Sequence, residues 1–314
     1  MLLFSCQTSA DDIELSGEAS VGYDTNPAQS HASEDLAFAH IALGAVKTLN
    51  LEQSDLRFAL DGWYHDYEAD NDSYRLSLSS AWSRPIARDR GLLTFSVSGA
   101  IYRDALVPAD ARNEGALTLR YDHILNARDT VGLSAEVRRL DYRNPSLPWS
   151  GRPGSGSGRQ NSGGRCKPSG RQGPRRRSAA LEQRRNDQRS TIALDATHAW
   201  SPTLSTRITL AHARNASTVA LESYDRNGIG LLAQFMLNNA WRLESGLGWS
   251  RSDYSHTQRR LERRDEELNA ALVIRHRRGA RELFCSLDWI DSDSTIDVHS
   301  FRQQVAQCGM AWSF

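Results

Sequence analysis

The chain closes on Gln303-Gln304-Val305-Ala306-Gln307-Cys308-Gly309-Met310-Ala311-Trp312-Ser313-Phe314. Counting back from the terminal phenylalanine, Trp312, Met310, Cys308 and Ala306 fall at every second position. Ser313, Ala311, Gly309 and Gln307 fall between them. A strand sends alternate side chains to opposite faces, so this stretch is a strand with one apolar face and one small or polar face. Which solvent meets the apolar face decides the fold.

The same period of two recurs upstream. Ile13, Leu15, Ala19, Val21 and Tyr23 alternate with Glu14, Ser16, Glu18, Ser20 and Asp24. Leu56, Phe58, Leu60 and Tyr64 alternate with Arg57, Ala59, Asp61 and His65, and the pattern continues through about fourteen segments. Leu36 to Lys47 is apolar on both faces, so alternation does not set its register. Connections alternate in kind. Short ones, such as Ser201 to Leu204 and Arg277 to Arg281, separate longer polar ones such as Thr25 to Asp35 and Ala105 to Asn113. Short turns on one rim and long loops on the other predict an all-β, transmembrane, antiparallel up-and-down barrel with both termini periplasmic.

Composition supports this reading by exclusion. The 314 residues are 39% hydrophobic and 24% charged, with a net charge of +0 and a mean hydropathy of -0.55. No run approaches the roughly 18 to 20 apolar residues of a membrane-crossing helix, but a membrane strand needs only about 9 to 11, half of them apolar. A soluble sandwich would have to bury the polar faces, whose charges are too many for a core. A wide barrel puts them in a wet lumen and its apolar faces in lipid. The neutral balance argues against a nucleic-acid partner. Aromatics give a second check. Tyr23, Tyr64, Tyr67, Tyr74, Tyr102, Tyr142, Tyr224 and Tyr254 sit near the long-loop rim, and Trp82, Trp200, Trp241 and Trp312 near the short-turn rim. Two interfacial girdles follow, with Tyr102 and Tyr142 pointing inward.

Residues 1–12, MLLFSCQTSADD, read as a signal-peptide remnant or a flexible N-terminus ahead of a barrel spanning 13–314. Within the barrel, 143–190 is expected to be a long, basic, disordered extracellular loop. It holds Arg152, Arg159, Arg165, Lys167, Arg171 and Arg175 to Arg177, and has no acidic residue from Pro145 until Glu182. A solvated loop, a grip on lipopolysaccharide phosphates, a cationic constriction and a frameshift product are all open for it.

No catalytic, metal-ligating or cofactor-binding constellation emerges; HExxH, a phosphate loop, GxSxG and an EF-hand are all missing. The expectation is a protein that is not an enzyme and carries no cofactor. The one stretch open to a rim active site is Tyr64 to Asp72, YHDYEADND, with His65 beside Asp66. Cys285 and Cys308 fall opposite each other if the last hairpin is centred between Ile296 and Asp297. Either a cross-strand disulfide or two small residues filling the lipid face fits them.

Two stretches carry a family resemblance. Val21 to Pro27, VGYDTNP, and Glu222 to Phe235, ESYDRNGIGLLAQF, resemble the barrel portion of the Slam-like surface lipoprotein assembly modifiers. Gly22, Tyr23, Asp24, Asn26 and Pro27 carry the first motif, and Tyr224, Asp225, Arg226 and Asn227 the second. The resemblance implies a fourteen-strand barrel in the outer membrane of a Gram-negative bacterium. There it would help display or translocate a surface lipoprotein, normally with a helical repeat domain before the barrel. Cys308, Met310, Trp312 and Phe314 resemble the terminal signal read by the barrel-assembly machinery. Outer-membrane lipids and lipopolysaccharide complete the expected partners. Two alternatives stay open: a general diffusion porin for small polar solutes, and a barrel enzyme acting at the Tyr64 to Asp72 rim.

Overall fold

The computed structural model describes residues 13–32, 34–68, 71–87, 90–144, 184–256 and 262–314. The strands are β1 (Ile13–Asp24), β2 (Leu36–Leu51), β3 (Ser54–Tyr67), β4 (Ser73–Ile86), β5 (Gly91–Asp104), β6 (Arg112–Ile124) and β7 (Asp129–Tyr142). They continue as β8 (Asn186–Ser201), β9 (Leu204–Ser217), β10 (Tyr224–Met236), β11 (Trp241–Tyr254), β12 (Arg264–Arg278), β13 (Arg281–Ser294) and β14 (Phe301–Ser313). Each pairs antiparallel with its chain neighbours, and β1 pairs with β14 to close the barrel. Residues 1–12 and 145–183, including most of the expected basic loop, lie outside the described residues. The 143–190 boundary itself is too long at its C-terminal end. β8 begins at Asn186, because Asp187 turns into the wall, where Arg185 and Asn215 pair its carboxylate.

Period-two alternation sets the two faces. Val21, Leu43 and Leu78 stand 66%, 63% and 60% exposed on the outside, within an apolar band that also holds Leu117, Leu133, Ile192, Leu247 and Leu283. So much contiguous apolar surface is incompatible with water as the outer solvent. The buried large side chains, Leu36, Phe38, Leu140, Tyr142, Tyr224 and Phe284, all project the other way, into the lumen.

The connections that follow β2, β4, β6, β8, β10 and β12 share one rim. Gly279 supplies the left-handed φ of 64° that the two-residue turn before β13 requires. The ends of β1 and β14 reach this same rim. There Leu15 N–H donates to the Phe314 carbonyl at 3.3 Å and Phe314 N–H donates back at 2.8 Å. Trp312 lies across Gly17 of β1, where any Cβ would collide with its ring. The glycine and the tryptophan together seal the start of the closure seam.

The girdle reading needs a correction. Trp82, Trp200, Trp241 and Trp312 do lie on the outer face near the short-turn rim, and Tyr23, Tyr64 and Tyr74 face outward near the other. Tyr67, Tyr224 and Tyr254 join Tyr102 and Tyr142 in the lumen, where each finds a partner. Tyr67 packs on Phe38, and the other four lie under Arg112, Arg185, Arg226 and Arg263 at ring-centroid distances of 4.0 to 5.3 Å.

Candidate functional site

The lumen has two unlike walls. On one, the inner faces of β2 and β3 stack rings. Tyr67, His65 and Trp63 follow one another at centroid spacings of 5.6 and 5.1 Å, with Phe38 and His40 alongside at 5.2 and 4.3 Å from His65. Tyr102 of β5 lies 6.0 Å from Trp63. This explains why Leu36 to Lys47 is apolar on both faces: the outer one meets the apolar band and the inner one meets these rings.

The wall that follows, from β4 through β8, is a ladder of ion pairs, and it starts at Arg75, the register partner of Trp63. Glu114, its side chain only 5% exposed, accepts from Arg112, Arg75 and Arg138 at 2.9, 3.0 and 3.1 Å. Arg138 also holds Glu136, and Arg120 bridges Asp122 and Asp195. Further round, Arg242, Glu244, Arg275 and Glu282 form a closed square with contacts of 2.9 to 3.6 Å. These charges are matched to one another, so the wall is polar without a large single-sign field.

At the long-loop mouth the chain repeats itself. Ser217 to Ser223, STVALES, and Ser294 to Ser300, STIDVHS, fold into the same 3-10 turn. In both, the first serine hydroxyl accepts from the N–H two residues on, at 3.1 and 3.2 Å, and the last hydroxyl accepts from the first serine's N–H, at 3.0 and 2.9 Å. In both, the threonine clamps the neighbouring connection. Thr218 bonds the Arg184 carbonyl and Asn186 N–H, and Thr295 bonds the Glu262 carbonyl and Arg264 N–H. The clamped segments match too: Arg185 pairs with Asp187 and stacks on Tyr142, while Arg263 pairs with Asp265 and stacks on Tyr254. A third turn, Pro108–Asp110, substitutes the Asp104 carboxylate for the first serine. The three turns end on Asp110, Glu222 and His299. Burial pushes the Asp110 carboxyl up from its ordinary value against the pull of Arg112 and Arg185, and burial together with Arg263 lowers the His299 imidazole. The sequence reading missed this repeat, although the seven-residue match was there to be found.

The two family-like motifs do different work. Asp24 and Asn26 are 3% and 1% exposed. The Asp24 carboxylate accepts from Gln303 Nε2 at 3.0 and 2.8 Å and from Asn26 N–H at 2.9 Å, and Asn26 Nδ2 donates to the carbonyls of Ser30 and Arg302. Tyr23 faces out and bonds Asp35. Gly22 leaves room for the Phe38 ring, and Pro27 occupies the turn that follows. The first motif therefore ties β1 to β14 across the closure seam. In the second, the faces are exchanged: Tyr224 is buried inward against Tyr254, while Asp225 is outside, 4.0 Å from Arg214. Arg226 points inward and donates to Ser252 Oγ at 2.7 Å, and Asn227 meets His212 outside.

Of the remaining residues, Cys308, Met310, Trp312 and Phe314 share the outer face of β14. Cys285 and Cys308 stand directly opposite, with Cα atoms 4.1 Å apart, and are joined as a disulfide on that face. His65 and Asp66 project to opposite sides of the wall, so Asp66 does not orient the His65 ring and the rim-enzyme alternative loses its dyad. Among the described residues, no three His, Cys, Asp or Glu are grouped to hold a metal ion.

No family model and no curated protein matches the sequence. Solved structures do match by shape. A bacterial polysaccharide outer membrane secretin superposes with a TM-score of 0.52 at 11% identity, covering 96% of this chain and 98% of that one. OmpT, an outer membrane protein of Vibrio cholerae, gives 0.52 at 8% identity over 96% and 99%. At these identities the likeness is one of fold, and that fold is the outer-membrane barrel.

Proposed function

We propose that this chain is an outer-membrane conduit of the Slam-like kind, assisting the display or translocation of a surface lipoprotein or another protein. Its long-loop rim faces outward, and both termini are periplasmic. The observation that supports the family reading is the role of Asp24 and Asn26: the letters of the Val21 to Pro27 motif close a fourteen-strand wall from a fully buried position. A motif with that duty tracks the barrel type better than a surface match would. The outer band is solvated by lipid and lipopolysaccharide, and β14 is presented to the barrel-assembly machinery through Cys308, Met310, Trp312 and Phe314.

The polar, internally neutralised lumen favours a second reading, a diffusion channel for small polar solutes. One pair of measurements separates the two. Protease-accessible surface display of a co-expressed lipoprotein is expected to fall when the gene is deleted and to return on complementation. A large, steady conductance in planar bilayers, with display unchanged by the deletion, would instead favour the channel.

A further inference from the structure

Below the ring track lies a cavity of about 460 Å³ lined by Ser16, Glu18, Gly44, Asp61, Trp63 and Arg277, among others. That volume lies within the roughly 300–1,000 Å³ of small-molecule sites. Trp63 belongs to both, so the track of Tyr67 and His65 runs into the cavity. The carboxylates of Glu18 and Asp61 form no ion pair with Lys or Arg among the described residues, unlike those of the ion-pair ladder; Glu18 has only His40 Nε2, at 3.9 Å. Gly44 leaves the cavity wall bare, for a Cβ there would stand 2.6 Å from Ser16 Oγ and 3.2 Å from Asp61 Oδ1. Beside the track, Ser20 and His40 face each other across β1 and β2, and Ser20 Oγ and His40 Nδ1 are both buried with no hydrogen-bond partner.

Flat rings flanked by carboxylates and the exposed Ser16 hydroxyl suit one ligand chemistry above others. A sugar ring has an apolar face that stacks on aromatic side chains, and an equator of hydroxyls that donate to carboxylates and accept from N–H and O–H groups. We infer that the inner face of β1 to β3 is a binding site for an oligosaccharide. Successive rings stack along Tyr67, His65 and Trp63, and the leading unit hydrogen-bonds to Glu18 and Asp61 in the cavity.

The test is calorimetric titration of the detergent-folded full chain with maltohexaose and with cellohexaose, which requires neither lipoprotein display nor conductance. At least one is expected to bind with a dissociation constant on the order of millimolar. Trp63→Ala should weaken that binding about tenfold, Trp63→Phe should restore most of it, and Asp61→Asn should weaken it severalfold. Because Asp61→Asn is isosteric and Trp63→Phe keeps an aromatic ring, they report even if Trp63→Ala does not fold. Absence of binding by either sugar at 20 mM (roughly twentyfold above the expected constant), or binding indifferent to all three substitutions, would overturn the inference.

Discussion

The β1 end and the β10 start spell nearly the same word, Tyr-Asp-x-Asn, and use it on opposite sides of the wall. Asp24 is inside and buried, and Asp225 is outside and exposed. The reason is frame. A strand has a period of two, so one residue of phase exchanges every side chain between lumen and exterior. Ser217 to Ser223 and Ser294 to Ser300 make the contrast instructive. There the letters match less closely, Glu222 against His299 and Ala220 against Asp297, yet every turn hydrogen bond is repeated. Likeness of letters transfers a role only where the frame and the hydrogen-bonding positions travel with them.

Asp24→Ala should show the largest effect of breaking this comparison. It leaves Gln303 Nε2 and Asn26 N–H buried without their acceptor and loosens the one seam that joins the two ends of the barrel. The expected cost is about 2–4 kcal/mol, since each orphaned buried donor costs about 1–3 kcal/mol. Urea unfolding in lipid vesicles, followed by the heat-dependent gel mobility of folded barrels, measures it. Asp24→Asn keeps one acceptor oxygen and should recover roughly half the loss. An Asp24→Ala barrel as stable as the parent would remove the seam lock from the account of the motif.

Much of this architecture was legible in the sequence, for a physical reason. Strand number, the two rims and the outward face of β14 all follow from period-two hydropathy, which lipid enforces on every membrane strand at once. The opposition of Cys285 and Cys308 followed from a hairpin centre, which is a matter of counting. What the pattern does not carry is the lumen. Inward side chains answer to partners on other strands, as Arg120 of β6 does to Asp195 of β8, and no local spacing announces a contact 75 residues away. The inward tyrosines were missed for the same reason: a tyrosine near a rim satisfies a girdle and an arginine stack equally well until its phase is known. The doubly apolar β2 was the visible trace of the ring track, but alternation alone cannot say what an apolar inner face packs against.

Arg226→Ala comes next in size. Its guanidinium stacks over Tyr224 at 5.3 Å and bonds the Ser252 hydroxyl, which is 1% exposed. Loss of both interactions should cost about 1–2 kcal/mol in the same unfolding assay. Arg226→Lys keeps the charge but not the planar stack and should recover only part of this. A value as large as that for Asp24→Ala would mean that β10 carries a structural lock of its own, and the two motifs would differ less than their geometry indicates.

Asp225→Ala should have the smallest effect, below about 0.5 kcal/mol, because its contact with Arg214 is long and its carboxylate is half exposed. This variant is nonetheless the most informative about function. Asp24 is accounted for by barrel closure, whereas nothing inside the molecule requires an acid at position 225. If Asp225→Ala leaves unfolding unchanged and also leaves surface display of a co-expressed lipoprotein unchanged, the second motif is a coincidence of letters. If stability holds while display falls, the outer face of β10 is where a partner meets the barrel, and the second motif would serve recognition while the first serves the fold.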